Sequence, residues 1–334
     1  MTPRWGITFP LEGLPVAANR EALQEAERLG YTDAWTAEVN GNDAFTPIAS
    51  AAVWTQKLRF GTAIANIYTR TPTLLAMNAT AVSEAAPGRF CLGLGTSSPA
   101  IVERWNGVPL RQPLRRMRET LEFLRRAFNG EKVSMTVDSY EVKGLRLARA
   151  PSPSPPIYIA ALREQMLKLA GAAADGVIIN FLSPADAAHV VKVARDAASE
   201  AGRDPQALDV AARIFVVPTE DPQVAHMLGR LLLSAYLTTP YYYAFHAWLG
   251  RSAALEPVRE AWQAGDRPGA MAALPEAVID DILCFGSRQQ IVDKIEAYRA
   301  AGVDTPVIAI IPTSQDPAEQ ARQGLAALKN LAPP

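Results

Sequence analysis

Glu38 directly follows the apolar run Ala34-Trp35-Thr36-Ala37. A carboxylate there is either a solvated loop acid or helix cap, or an acid facing a ligand at the end of a buried strand. The run Gly93-Leu94-Gly95-Thr96-Ser97-Ser98 offers close backbone approach and small hydroxyls. It lacks the third glycine of a dinucleotide-binding loop, since Ser98 stands there, and it belongs to the fourth strand-like run rather than the first. It reads better as a strand end against which a flat ligand can lie. Tyr241-Tyr242-Tyr243-Ala244-Phe245-His246-Ala247-Trp248 is dense in aromatic rings. Two readings stay open for it, the core of a helix pair or a lid over an apolar substrate pocket. Other chemistries find no support. His189, His226 and His246 are far apart and not in zinc-protease spacing, so no metal site is expected. A G-x-S-x-G elbow is missing. Cys91 and Cys284 sit singly in apolar runs and are expected as buried, reduced thiols.

Strand-like and helix-like segments alternate around these residues from end to end. Strands are expected at Trp5–Phe9, Asp33–Ala37, Leu58–Ile64, Arg89–Gly95, Ile157–Ala160, Gly176–Ile179, Val210–Val217 and Val307–Ile311. Most are near-continuous apolar runs, as strands of a parallel sheet buried on both faces should be. Between them, Asn19 can cap a helix carrying Leu23, Ala26 and Leu29. Leu114, Met117, Leu121, Leu124 and Phe128 recur at helical spacing on a long helix ending near Gly130. Ser287 and Gln290 form a capping box. Residues 131–148 read as a hairpin or irregular excursion, and the proline-rich 151–156 as a stiff loop within one domain. Residues 222–280 are strand-poor and read as a helical insertion. Eight strands in 334 residues favour a single (β/α)8 TIM barrel over a doubly wound sheet. In such a barrel Glu38 and the 93–98 segment fall at the C-terminal face, where catalytic groups gather.

Hydrophobic residues make up 49% and charged residues 20%, which suits a well-packed soluble protein. The net charge of −1 gives no field that would attract nucleic acid or an anionic membrane. The first residues run straight into a strand without a signal-peptide core, so a cytoplasmic location is expected.

The segment Phe60-Gly61-Thr62-Ala63-Ile64-Ala65-Asn66-Ile67-Tyr68-Thr69-Arg70-Thr71-Pro72 resembles the third strand and threonine-arginine-x-proline exit of the luciferase-like monooxygenase superfamily. The likeness is strongest to its coenzyme F420-dependent branch, which includes the methylenetetrahydromethanopterin reductases. It continues through Glu84–Phe90 into Leu92-Gly93-Leu94-Gly95, and again at Phe285-Gly286-Ser287 and Ala301-Gly302-Val303-Asp304. The resemblance implies that four strand ends hold the cofactor. Glu38 matches a family aspartate beside the deazaflavin ring. Ala65, Asn66 and Ile67 match a bulge behind the ring, with the family's non-prolyl cis peptide at Asn66–Ile67. Gly95, Thr96, Ser97 and Ser98 match the segment lining the ring or its side chain. Ala160, Ala161, Leu162 and Arg163 match a turn whose backbone N–H groups face the cofactor phosphate, and a helix opening just after Ala161 would favour an anion there.

Departures from the family narrow the chemistry. Val39 stands where several family dehydrogenases have a histidine, and Thr96 where the glucose-6-phosphate dehydrogenases have a glutamate. Asn180-Phe181-Leu182-Ser183 lacks their phosphate-binding lysine, so a sugar phosphate is not the expected substrate. Glu38 and Thr96 remain the catalytic candidates, and Tyr241, Tyr242, His246 and Trp248 the substrate-facing ones. The expected function is hydride transfer between F420 and a small organic molecule, in a homodimer without nucleic-acid or membrane partners. Two alternatives remain: an FMN-dependent monooxygenase fed by a partner reductase, and a cofactor-free binding barrel.

Overall fold

The computed structural model describes residues 3–138 and 140–334. Eight strands, all parallel to their neighbours, close into a barrel. They are β1 (Gly6–Thr8), β2 (Asp33–Thr36), β3 (Arg59–Thr62), β4 (Phe90–Gly95), β5 (Ile157–Ala160), β6 (Gly176–Asn180), β7 (Asp209–Val216) and β8 (Thr305–Ile310). Gly6 opposite Val307 and Ile7 opposite Ile308 join the last strand to the first. The alternation of strand and helix in the sequence thus resolves as a (β/α)8 barrel.

Side-chain parity builds the interior. Trp35, Cys91, Tyr158, Ile178, Ala211 and Val307 point inward and fill the middle of the barrel. Their strand neighbours Leu92, Val177, Val210 and Ile308 point outward into the sheet–helix core. Trp35 and Tyr158 meet edge to face at 5.6 Å. The N-terminal end is closed by Arg59, which donates to Tyr158 (2.8 Å), Asp209 (3.0 Å), Thr305 (3.1 Å) and Asp33. With that end plugged, ligand access falls to the C-terminal ends.

The Ser287–Gln290 capping box forms as expected, and Ser183 with Asp186 makes a second one. Asn19 does not cap. It is the first residue of its helix, entered through a short 3-10 turn, and its amide is spent instead on Leu11 N–H and the Pro15 carbonyl. Residues 131–148 contain an antiparallel hairpin, Val133–Val137 with Tyr140–Leu145. Between β7 and β8 lie six helices; the last is Arg288–Ala300, and the first five run from Pro222–Leu237 to Glu276–Ile282. They share an apolar cluster of their own, with Leu233, Leu237, Leu255 and Ile279 buried, and meet the barrel at Phe181 and Phe215. No described helix is long and apolar enough to cross a membrane.

Candidate active site

The third strand explains the shape of the barrel mouth. Gly61 lies opposite Cys91, but four residues later Ala65 lies opposite Leu94, only three further on. One residue of β3 is therefore extra, and the strand bulges between Thr62 and Ala65. The Thr62 hydroxyl repairs the interrupted ladder, donating to the Gly93 carbonyl (2.7 Å) and accepting from Gly93 N–H (2.9 Å). The bulge turns Ala63 and Ile64 inward, and the peptide between them is cis.

This corrects the expected placement of the cis bond at Asn66–Ile67. Ala65, Asn66 and Ile67 are buried and do not line the cavity. They are held from the other side: Asn66 Oδ1 accepts from Tyr68 N–H (2.8 Å), and the Ile67 carbonyl accepts two bonds from buried Arg116.

The mouth opens into a cavity of about 940 Å³. Glu38 is on its wall and takes a 2.7 Å bond from Arg70, with both side chains largely buried. Arg70 in turn lies over the Phe45 ring. Held by Arg70, the Glu38 carboxylate presents acceptor oxygens with which it can orient a donor. Gly95 meets the bulge: a Cβ there would lie 2.5 Å from Ile64 Cγ1. Thr96, Ser97 and Ser98 continue along the wall, with Ser97 in the left-handed region at φ 59°.

Ala160, Ala161, Leu162 and Arg163 form the next stretch of wall. The N–H of Ala161 is already bonded to the Ile178 carbonyl at 3.1 Å, so it is not the anion donor expected. The helix opens three residues later, at Glu164–Ala173, and Arg163 makes no side-chain cap. Its first-turn N–H groups lack a capping side chain and are the better candidates to meet an anion.

On the opposite side Tyr241, Tyr242 and Trp248 line the cavity from the helix Pro240–Trp248, with Leu232 and Tyr236 beside them. Tyr242 shares a 3.1 Å bond with Asn180 Oδ1, and burial pushes its pKa up to about 12. His246 does not join them. It is completely buried beside Phe245, away from the cavity, because the helix turns that position inward. Cys91 and Cys284 are free and buried, and burial raises their pKa values to about 12 and about 11, so neither is a nucleophile at neutral pH. Among the described residues no cluster could hold a metal ion.

The residues that sequence reasoning missed are Ile64, Arg70, Arg213 and Phe215. For the last two a signal existed: an arginine sits at inward parity, two residues from Ala211, in a strand that is otherwise apolar after Asp209.

Residues 7–305 match the family model of the luciferase-like monooxygenases. The chain belongs to that family. Among its sequence relatives is the 5,10-methylenetetrahydromethanopterin reductase of Archaeoglobus fulgidus, 29% identical over 297 residues that cover 87% of this chain and 88% of that one. Two solved structures share the fold. The coenzyme F420-dependent tetrahydromethanopterin reductase of Methanopyrus kandleri superposes with a TM-score of 0.77 at 24% identity, covering 99% of each chain. The oxygenating constituent of 3,6-diketocamphane monooxygenase from Pseudomonas putida, a type II Baeyer–Villiger enzyme in complex with FMN, gives 0.67 at 18% identity, covering 100% of this chain and 99% of that one. This luciferase-like chain is thus an enzyme, and its fold is shared by a structure described as coenzyme F420-dependent and by one in complex with FMN.

Proposed function

We propose that the protein is an F420-dependent oxidoreductase that transfers a hydride between the deazaflavin and a small organic substrate. The observation that carries this reading is the Ile64–Gly95 contact at the barrel mouth, a wall that a Cβ at position 95 would obstruct, beside a cavity of about 940 Å³. Such a wall suits a flat ring, and the uncapped start of the Glu164 helix suits an anionic tail. Bound F420 would supply an obligate two-electron carrier.

The chain's own part is positioning and exclusion of water. Ile64 and Gly95 would back the ring. Ser97, Ser98 and the turn at Ala161–Arg163 would hold its side chain, and Glu38, fixed by Arg70, would accept from a ring N–H. Tyr241, Tyr242 and Trp248 would close the substrate side. Thr96 offers a hydroxyl on the same wall, where it can orient a polar group of the substrate.

The reductase relative favours F420 over FMN. Equilibrium titration of the purified protein with each cofactor tests the choice. F420 is expected to bind at least tenfold more tightly, a difference of about 1.4 kcal/mol. Equal or reversed affinities would assign the barrel to flavin chemistry, and binding of neither to a cofactor-free role.

A further inference from the structure

Arg213 lies on the cavity wall in the middle of β7, flanked by Ala211 and Phe215 at the same inward parity. Among the described residues it has no ion pair and no hydrogen bond, and its Nε is buried without a partner. Its surroundings are aromatic. The guanidinium lies 5.1 Å from the centre of the Phe215 ring, which itself stacks on Phe181 at 4.2 Å, and Tyr236 and Tyr242 close the pocket. Burial pulls its pKa below the ordinary arginine value.

A guanidinium presents five N–H donors in a planar fork and does not give up its charge in proteins. The Arg213 Nε is buried without an acceptor, which is costly, and one aromatic face recovers only part of that cost, while the half-buried side chain as a whole borders the cavity. The other acids of the cavity are committed or remote. Glu38 is held by Arg70, Glu164 pairs with Lys168 at 2.6 Å, and Glu12 sits exposed on the loop after β1.

We propose that Arg213 is the anchor for a carboxylate on the substrate, so that the enzyme acts on small organic acids carrying an apolar or aromatic body. The proposal rests on the hydride-transfer reading for its reaction but not for its binding chemistry. The planar fork matches a carboxylate bidentately, and Phe181, Phe215, Tyr236 and Tyr242 supply an apolar slot on either side.

The test uses the full-length protein without cofactor and two probes of equal shape, benzoate and benzamide, titrated by calorimetry. Benzoate is expected to bind at least tenfold more tightly. Arg213→Met should erase that preference, and Arg213→Lys should keep only part of it, since lysine retains the charge without the fork. Phenylglyoxal labelling of the wild type, read at Arg213 by mass spectrometry, should be slowed by benzoate and not by benzamide; this second readout stands even if the methionine variant does not fold. No preference in the wild type, or a preference that survives in Arg213→Met, would overturn the proposal. So would loss of F420 binding in Arg213→Met with no carboxylate preference in the wild type, which would assign the arginine to the cofactor. Failure of the F420 reading shows separately, as no F420 affinity in a wild type that still prefers benzoate.

Discussion

His246 is sealed beside Phe245, and burial lowers its pKa from 6.5 to about 4. Between those values the unfolded chain binds a proton that the folded chain does not, so stability rises with pH across that window and is lost as pH falls. At pH 4.5 the histidine should cost about 2–3 kcal/mol relative to pH 7. Urea denaturation at the two pH values should show His246→Phe losing that much less than the wild type; equal losses would mean that the ring protonates in place. Glu38 and Arg70 form the other residue-scale test. Each is largely buried, so removing one strands the other. A double-mutant cycle of Glu38→Gln and Arg70→Met, read by urea denaturation, should give a coupling energy of about 1 kcal/mol or more. Both residues show what a sequence conveys at this scale. Position after a strand placed Glu38 at the cavity, whereas the side of the helix that His246 occupies depends on how that helix docks, which its own sequence does not state.

The β3–β4 pair carries the shape of the site. Seen alone, residues 58–64 read as one uninterrupted strand, and nothing in their propensities marks a bulge. Its position is set by register against β4, a non-local quantity that shifts by one residue between Gly61 and Ala65. That is why the sequence expectation puts the cis peptide three residues too late. The two inward glycines of β4 answer to this geometry in different ways. A Cβ on Gly93 would lie 1.8 Å from the Thr62 carbonyl oxygen, which is backbone and cannot move aside. Gly93→Ala should therefore cost about 3 kcal/mol or more, seen as a large drop in Tm or in soluble yield. A Cβ on Gly95 meets only the side chain of Ile64, which borders open cavity. Gly95→Ala should fold with a loss of about 1–2 kcal/mol and lose at least tenfold in F420 affinity. Cofactor affinity unchanged in Gly95→Ala would remove the Ile64–Gly95 wall from the site.

For the whole molecule the alternation of buried apolar runs with amphipathic helices is enough to indicate the barrel, because the presence and order of its strands and helices follow from local period even where an end or a cap does not. The mouth was legible only in part. Glu38, the 95–98 and 160–163 segments and the aromatic helix converge on one cavity, while Arg213 and Phe215 enter it from a strand that reads simply as core. The barrel, plugged at its N-terminal end, and the helices between β7 and β8 bound the cavity of about 940 Å³ in which F420 is proposed to sit. The most direct measurement is a crystal structure of the protein grown with F420 and FMN together at equal concentration. Density for F420 within the cavity bounded by Ile64, Gly95 and Ala161 is the predicted result; FMN in that place, or a cavity holding neither, would contradict it.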